Sequence, residues 1–232
     1  GKISLFPYEF LAAFLSKKSG RPVKVTLSRD EVLSTCPPSR RMIIDVKTGV
    51  KSDGTIMAQH IKIIDDVGAY RGTSPTALYL AHVFRHAIYN IPHVKHEGVG
   101  VYTNKLITGP KRGHALPQTS FAVESQLDMI AEELGIDPLE LRLRNLRKKG
   151  DILPNGDRLD SYGLPQCLRR AAESSGWKQN LGKQPNRGMG IGTGGMFCGG
   201  HNYPFGSAAL VKLNPDGRFT LFTGQTEFGG GA

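Results

Sequence analysis

The sequence predicts an α+β fold in which mixed sheets pack with helices, and two observations carry this prediction. Residues 42–50 and 56–64 alternate between apolar and polar side chains on either side of Ser52-Asp53-Gly54, and an Asp-Gly pair is a strong hairpin signal. Residues 121–134 instead repeat apolar side chains every three or four positions and end at Gly135, as an amphipathic helix does. Such strands and helices alternate irregularly along the chain, which favours α+β over a doubly wound sheet.

The chain begins with a predicted helix over residues 7–19. Apolar side chains recur there at helical spacing, and Gly20 is a natural end. Residues 22–27 alternate as a strand does, and the hairpin follows them. Residues 74–97 are ambiguous, so we expect a helical stretch, a turn at Pro92 and then another strand.

The second half of the chain continues with helices and ends with strands. Asp137 before a proline predicts the N-cap of a helix whose basic residues gather at its C-terminal end, where they favour the helix dipole. We expect a short helix over residues 167–175 and a linker over 177–186. Residues 208–213 and 219–223 predict a pair of strands joined by a tight turn.

The linker divides the chain into two predicted domains. Residues 1–176 form the first, and residues 177–232 begin a second. The sequence starts with Gly1 rather than methionine and stops in a glycine run, so we expect a fragment of a longer polypeptide.

Composition excludes several classes of protein. No window approaches the roughly 18 consecutive apolar residues of a membrane span. The three cysteines, Cys36, Cys167 and Cys198, are far apart and form no C-x-x-C pair, which excludes an iron–sulfur or structural zinc site built from them and predicts a reducing, cytoplasmic location. The net charge of +10 favours anionic ligands.

Two glycine-containing stretches are candidates for ligand binding. In residues 109–118 an Arg112-Gly113 pair lies between turn residues, and such a loop can direct backbone N–H groups at an anion; a helix-entry loop with a solvated arginine is the alternative. Residues 188–195 carry glycine at every second position without the helix or acidic residue of a dinucleotide loop. Their glycines allow close approach of a flat ligand or relieve crowding.

A third stretch is a candidate for ligand binding, and the histidines are candidates for metal binding. Residues 223–231 place an amide, a hydroxyl and a carboxylate on a glycine-flanked turn that could surround a polar heterocycle, or form an ordinary turn. His82 and His86 are four residues apart but lack the glutamate of the H-E-x-x-H motif. We therefore expect core or surface histidines rather than a metal site.

Taken together, these stretches resemble the molybdenum hydroxylase family, typified by xanthine dehydrogenase and aldehyde oxidase. Residues 109–146 match the family's arginine-glycine loop, its proline-glutamine pair and the two helices that follow. Residues 20–30 are similar to its GRPVK segment, residues 48–56 to its hairpin, and residues 224–231 to its glycine-threonine-glutamate loop. Gly1-Lys2 resembles the end of another glycine-rich loop.

The resemblance implies the molybdopterin-binding part of such an enzyme, holding molybdenum on molybdopterin or on its cytosine dinucleotide, with no metal ligand from side chains. A glutamate that acts as catalytic base is expected beyond Ala232, so the fragment alone should be inactive. The residues that would contact the cofactor are Gly1, Arg112, Gly113, Gly224, Gln225, Thr226, Glu227, Gly229 and Gly230.

Three departures from the family pattern concern ligand contacts. His114 stands where most members have a phenylalanine over the substrate, which implies a more polar pocket. Ile3 also lines the substrate pocket and stands where xanthine-specific members carry a glutamate, which argues against xanthine. Gly230 replaces a glutamine that reaches the pterin, which weakens that contact.

The implied function is hydroxylation with water of an aromatic, N-heterocyclic, aldehyde or aryl-CoA substrate, or reductive dehydroxylation as in hydroxybenzoyl-CoA reductase. Iron–sulfur clusters and FAD would lie on partner subunits, in a dimer of heterotrimers without nucleic-acid or membrane partners. Two alternatives stay open: a basic nucleic-acid-binding domain, suggested by the isoelectric point near 9.6, and a non-catalytic member of the family, suggested by Gly230.

Overall fold

The computed structural model describes residues 6–153, 156–180, 186–195 and 208–224. The chain divides into two compact units, one formed by its two ends and the other by residues 39–197. The predicted boundary after residue 176 stays a prediction.

The helices and strands of the described residues are α1 (Pro7–Ser19), α2 (Arg29–Thr35), β1 (Arg41–Val50), β2 (Ile56–Gly68), α3 (Ser74–Ile88), β3 (His93–Tyr102), α4 (Leu116–Leu134), α5 (Pro138–Asn145), α6 (Leu164–Ser175), α7 (Trp177–Asn180), β4 (Ala209–Leu213) and β5 (Phe219–Thr223).

The terminal unit contains α1, α2 and the β4–β5 hairpin. Helix α1 has the predicted bounds and ends at Gly20, which adopts a left-handed φ of 65°. Its apolar residues, among them Phe10 and Phe14, remain exposed. Residues 22–27 pair with no strand among the described residues, so the predicted strand is wrong. Alternation alone did not supply a partner for their backbone groups.

The central unit is built on a three-stranded sheet in the order β1-β2-β3. The predicted hairpin is present, with β1 and β2 antiparallel, whereas β2 and β3 run parallel and are joined by α3. Along β2, Ile61, Ile63, Asp65 and Val67 share the buried face, because alternate residues of a strand point the same way. An acidic side chain therefore lies within the apolar core.

Two glycines of β3 let α3 approach the sheet closely. A Cβ at Gly98 would lie 3.1 Å from Leu78, and a Cβ at Gly100 would lie 3.0 Å from the Ser74 hydroxyl. Both contacts are tighter than ordinary van der Waals distances, so larger residues at these positions would push the helix away. The first turn of α3 is thereby placed next to Asp65, the partner of Gly100 in the sheet.

Helices α4 and α5 cover the same face of the sheet. Asp137 caps α5 as predicted, with its carboxylate accepting from the Leu139 N–H at 2.7 Å. Asn145 at the end of α5 donates to the Gly54 carbonyl at 2.8 Å and accepts from the Ile56 N–H at 2.8 Å. The β1–β2 turn is therefore fixed to α5, and the mixed arrangement of sheet and helices confirms the α+β prediction.

Two of the sequence predictions in this region need correction. Helix α4 begins at Leu116, five residues before the predicted start. The stretch predicted as a linker begins with a buried residue, Trp177, whose indole N–H donates to the Asp137 carboxylate at 3.1 Å. Among the helices that the structure describes, none combines the length and apolar character needed to cross a membrane.

Candidate functional site

The loop that the sequence marks as a ligand-binding candidate forms an unusual turn before α4. Arg112, Gly113, His114 and Ala115 have φ values of 34°, 111°, 44° and 77°. Only glycine adopts positive φ without strain, so three of these four residues are in a costly conformation. Gly113 is also confined, because a Cβ there would lie 2.8 Å from Pro117. Strain of this kind persists where the surroundings enforce it, and it is common at ligand sites.

A buried polar cluster lies next to this turn. Arg40 donates from Nη1 to Asp65 Oδ2 at 2.7 Å and from Nη2 to the Thr73 hydroxyl at 2.8 Å. Ser74, in the first turn of α3, donates to the same Asp65 oxygen at 2.6 Å. Both charged side chains are almost inaccessible, with 1% of Arg40 and none of Asp65 exposed. We refer to Arg40, Asp65, Thr73 and Ser74 as the Arg40 cluster.

His114 connects the turn to the Arg40 cluster. Burial lowers the pKa of its imidazole, the charge of Arg40 lowers it further, and a hydrogen bond to the Thr73 backbone and the charge of Asp65 act in the opposite direction. The residue is 9% exposed, and its Nε2 atom has no hydrogen-bond partner. His114 is therefore a neutral imidazole with one buried nitrogen unsatisfied.

Other buried atoms around the turn also lack partners. Gln118, in the first turn of α4, donates to the Arg40 carbonyl at 3.0 Å, but its Oε1 atom accepts no bond. Arg40 Nε and Asp65 Oδ1 are likewise unsatisfied. Each such atom costs about 1–3 kcal/mol relative to a paired one. The region therefore has unsatisfied hydrogen-bond donors and acceptors, as polar ligand sites do.

The predicted site residues divide between described and undescribed parts of the chain. Arg112, Gly113 and His114 belong to the turn, and the Arg112 side chain is exposed. Gly224 follows β5, and its N–H donates to the Ala208 carbonyl at 2.9 Å. The others lie outside the described residues: Gly1, Ile3, Gln225, Thr226, Glu227, Gly229 and Gly230. The roles given to all of them stay predictions.

The Arg40 cluster was not predicted from the sequence, although one signal for it was present. Asp65 shares the alternation of Ile61 and Ile63, and a carboxylate in phase with a buried strand face must find a buried partner. No local pattern marks Arg40 as that partner, because it is 25 residues away in sequence.

The glycine-rich stretch at residues 188–195 has no regular secondary structure, and its glycines and the residues between them differ in exposure. A Cβ at Gly188, Gly190 or Gly194 would meet no atom within 4 Å, so crowding among the described residues does not explain these glycines. Thr193, between them, is buried and donates its hydroxyl to Glu124 Oε1 at 2.6 Å. The segment is therefore fixed through its alternate side chains, and its glycine face stays open.

Three of the histidines, His82, His86 and His96, lie in contact with one another. His82 Nδ1 and His86 Nε2 are 3.3 Å apart on α3, and the His96 ring on β3 lies 4.7 Å from the His82 ring. Within the described ranges, no three histidine, cysteine or acidic side chains are arranged to hold a metal ion. Burial lowers the pKa of His96 to about 4, with His82 contributing.

This shift predicts that the subunit loses stability as the pH falls from about 6.5 to about 4. Unfolded His96 binds a proton at its ordinary pKa, whereas the folded form resists protonation, so the stabilisation is complete above pH 6.5 and lost towards pH 4. We expect a loss of about 1–2 kcal/mol after allowing for solvent screening. His96→Gln should reduce the pH dependence of thermal unfolding, and His93→Gln, at an exposed position, should not. If thermal unfolding of the two variants depended equally on pH, the prediction would be contradicted.

The central unit is an α+β domain with a strained turn beside a buried polar cluster. Residues 1–146 match the family model of the molybdopterin cofactor-binding domain, and the chain belongs to this family. The family assignment made from the sequence is thereby confirmed, and molybdopterin is the cofactor of the domain.

Relatives of the chain include proteins named for different substrates. The xanthine dehydrogenase molybdenum-binding subunit of Escherichia coli O157:H7 is 35% identical over 97% of this chain and 31% of its own length. The nicotinate dehydrogenase large molybdopterin subunit of Eubacterium barkeri is 33% identical over 70% of this chain and 39% of its own length. The solved aldehyde oxidoreductase from Desulfovibrio gigas has a TM-score of 0.72 and 27% identity over 95% of this chain and 25% of its own. This chain therefore spans about a third of the length of its curated relatives.

The described residues fit a flat, polar cofactor of this kind. Gln118 Oε1 and His114 Nε2 are buried acceptors or donors without partners, and both lie in or directly after the left-handed turn. Pro117 packs against Gly113 and leaves no room for a side chain there. Such rigid, unsatisfied polar groups are what a protein contributes to the binding and orientation of a cofactor.

Proposed function

We propose that the chain is the molybdopterin-binding portion of a molybdenum-dependent oxidoreductase. The observation that carries this proposal is the strained Arg112–Ala115 turn beside the Arg40 cluster, in a chain whose residues 1–146 match the cofactor-binding family. Preorganised polar groups around a cofactor position its reactive atom and tune its electronics. When bound, molybdopterin supplies the molybdenum centre at which a substrate carbon is oxidised or reduced.

In this proposal the residues of the chain bind and orient the cofactor. Arg112 and Gly113 contact the cofactor through the left-handed turn, in which Pro117 leaves no room for a side chain at position 113. Gln118 contributes an amide whose donor side is already fixed to the Arg40 carbonyl, which leaves the acceptor for the ligand. The remaining cofactor contacts would come from Gly1 and from the loop that begins at Gly224.

The substrate is an aromatic, N-heterocyclic, aldehyde or aryl-CoA compound, with His114 and Ile3 lining its pocket. The names of relatives support this range, since they include a nicotinate dehydrogenase and an aldehyde oxidoreductase. The term "subunit" in the names of two relatives supports the existence of partner chains. We propose that these chains carry iron–sulfur clusters and FAD and that the complex is cytoplasmic. The catalytic base is expected outside this sequence.

The proposal predicts the content and behaviour of the full-length subunit purified with its partners. Metal and pterin analysis should find molybdenum with a pterin, and copurified nucleic acid or the absence of both would contradict the assignment. Arg112→Ala should lower substrate turnover about tenfold or more while shifting Tm by no more than about 2 °C, because the side chain is exposed and supports no buried contact.

A neighbouring variant controls for charge. Lys111 is also exposed and lies outside the left-handed turn, so Lys111→Ala removes one positive charge without changing the turn. We expect its turnover to stay close to that of the wild type. If Arg112→Ala keeps its turnover but loses its thermal stability, Arg112 is a structural residue.

A further inference from the structure

The loop at residues 109–118, which contains the strained turn, is anchored at its start on β2. Thr108, directly before the loop, donates its N–H to the Val67 carbonyl at 3.2 Å. Gly68 ends β2, and a Cβ at this position would collide with the Leu106 carbonyl. The chain that leads into the loop therefore lies directly against the backbone of the strand, with no side chain between them.

Gln118 is the anchor at the other end of the loop. Its amide nitrogen donates to the Arg40 carbonyl at 3.0 Å and to the Ser39 hydroxyl at 3.1 Å. Strand β1 begins at the next residue, Arg41, which pairs with Asp66 of β2. Both anchors therefore lie at the same end of the β1–β2 ladder, and the strained turn is held between them.

We propose that Gln118 is a positioning residue that holds the Arg112–Ala115 turn in its left-handed conformation before a cofactor binds. Without this anchor, the non-glycine residues of the turn would relax towards ordinary φ values, because positive φ is costly for them. A turn that is already ordered saves the ligand the entropic cost of ordering it. The inference rests on the proposed function, in which the ligand of the turn is molybdopterin.

Gln126 provides a matched comparison on the same helix. It lies about two turns further along α4 and donates its amide nitrogen to the Val46 carbonyl of β1 at 2.7 Å. Both glutamines are half-buried, and both connect α4 to a backbone carbonyl at or within the edge strand. Only Gln118 directly follows the turn, so the two positions separate the positioning of the turn from the stabilisation of the fold.

Hydrogen exchange tests whether the turn is ordered without a ligand. The Leu116 N–H donates to the Gly113 carbonyl at 2.9 Å, so its exchange rate reports the opening of the turn. In the full-length complex prepared without molybdopterin, we expect this amide to be protected in the wild type and to exchange about tenfold faster in Gln118→Met, which loses two hydrogen bonds. Gln126→Met should show the wild-type rate. Equal rates in the wild type and Gln118→Met overturn the proposal.

A milder variant keeps the test decisive if Gln118→Met does not assemble with its partners. Ser39→Ala removes one of the two acceptors of Gln118 and leaves the bond to the Arg40 carbonyl in place. We expect about threefold faster exchange of the Leu116 N–H in this variant. An unchanged rate in Ser39→Ala, together with an unassembled Gln118→Met, would mean that Gln118 supports folding rather than the turn, and it overturns the proposal.

Release of the cofactor gives a second readout. In complexes purified with molybdopterin, Gln118→Met should release pterin about tenfold faster than the wild type, whereas Gln126→Met should release it at the wild-type rate. Equal release from both variants, or faster release without faster exchange of the Leu116 N–H, overturns the positioning role. Absence of molybdenum and pterin from the wild-type complex would instead refute the proposed function, since the exchange measurement does not depend on the cofactor.

Discussion

Replacing Arg142 with methionine is expected to reduce the free energy of unfolding by about 3–5 kcal/mol. The guanidinium is completely buried, donates to Glu124 Oε2 at 2.8 Å and to the Pro138 carbonyl at 3.1 Å, and forms an ion pair with Asp128 Oδ1 at 2.8 Å. Glu124 also holds the Thr193 hydroxyl, so the arginine links α4, α5 and the glycine-rich segment. Methionine fills the space but leaves a buried carboxylate without its cation.

Thermal and denaturant unfolding of the intact subunit would measure this loss. Arg144→Met is the matched control, because Arg144 lies on the exposed side of the same helix, and its removal should cost less than about 0.5 kcal/mol. A similar small loss for Arg142→Met would mean that the network relaxes to solvate Glu124, and that it does not hold the three segments together.

Replacing Arg40 alone should cost a similar amount, whereas replacing it together with Asp65 should cost far less. Arg40→Met leaves the Asp65 carboxylate buried and unpaired, and we expect a loss of about 3–5 kcal/mol. In the double variant Arg40→Met/Asp65→Leu both charges are absent, and apolar side chains of similar volume often replace a buried ion pair at little cost. We expect this variant to unfold within about 1–2 kcal/mol of the wild type.

The double-mutant cycle decides whether the two residues act as a pair. If the second replacement restores most of the unfolding free energy that the first removed, the losses are strongly non-additive and the two residues form a coupled ion pair. Additive losses would show that Arg40 and Asp65 stabilise the fold through separate contacts, with Thr73 and Ser74 respectively.

Local signals account for the parts of the fold that could be predicted from the sequence. The Asp53-Gly54 turn, the end of α1 at Gly20 and the Asp137 cap of α5 each depend on a few neighbouring residues, and all three are present. The parallel pairing of β2 with β3 has no such signal, since its partners meet across the whole of α3. Residues 22–27 have the alternation of a strand but pair with no strand among the described residues, because a local pattern does not supply a pairing partner.

The basic residues around α5 illustrate what local patterns miss. Their position predicted cations that favour the dipole at the end of the helix, and Arg144 there is exposed. Arg142 and Arg147 are instead buried, and Arg147 donates to the His86 carbonyl on a distant segment. The turn at Arg112 was found from its glycine and proline residues, but its run of left-handed residues and the Arg40 cluster depend on tertiary contacts.

The parallel pairing of β2 and β3 also has a consequence for the order of folding. The β1–β2 hairpin closes through neighbouring residues and can form within microseconds, whereas β3 can join only after the chain has closed the loop that contains α3. Thr73 and Ser74 lie at the start of that loop, and Arg40 and Asp65 gain them as partners only when α3 docks on Gly98 and Gly100. We therefore expect the Arg40 cluster to be completed late in folding, after the hairpin that carries Asp65.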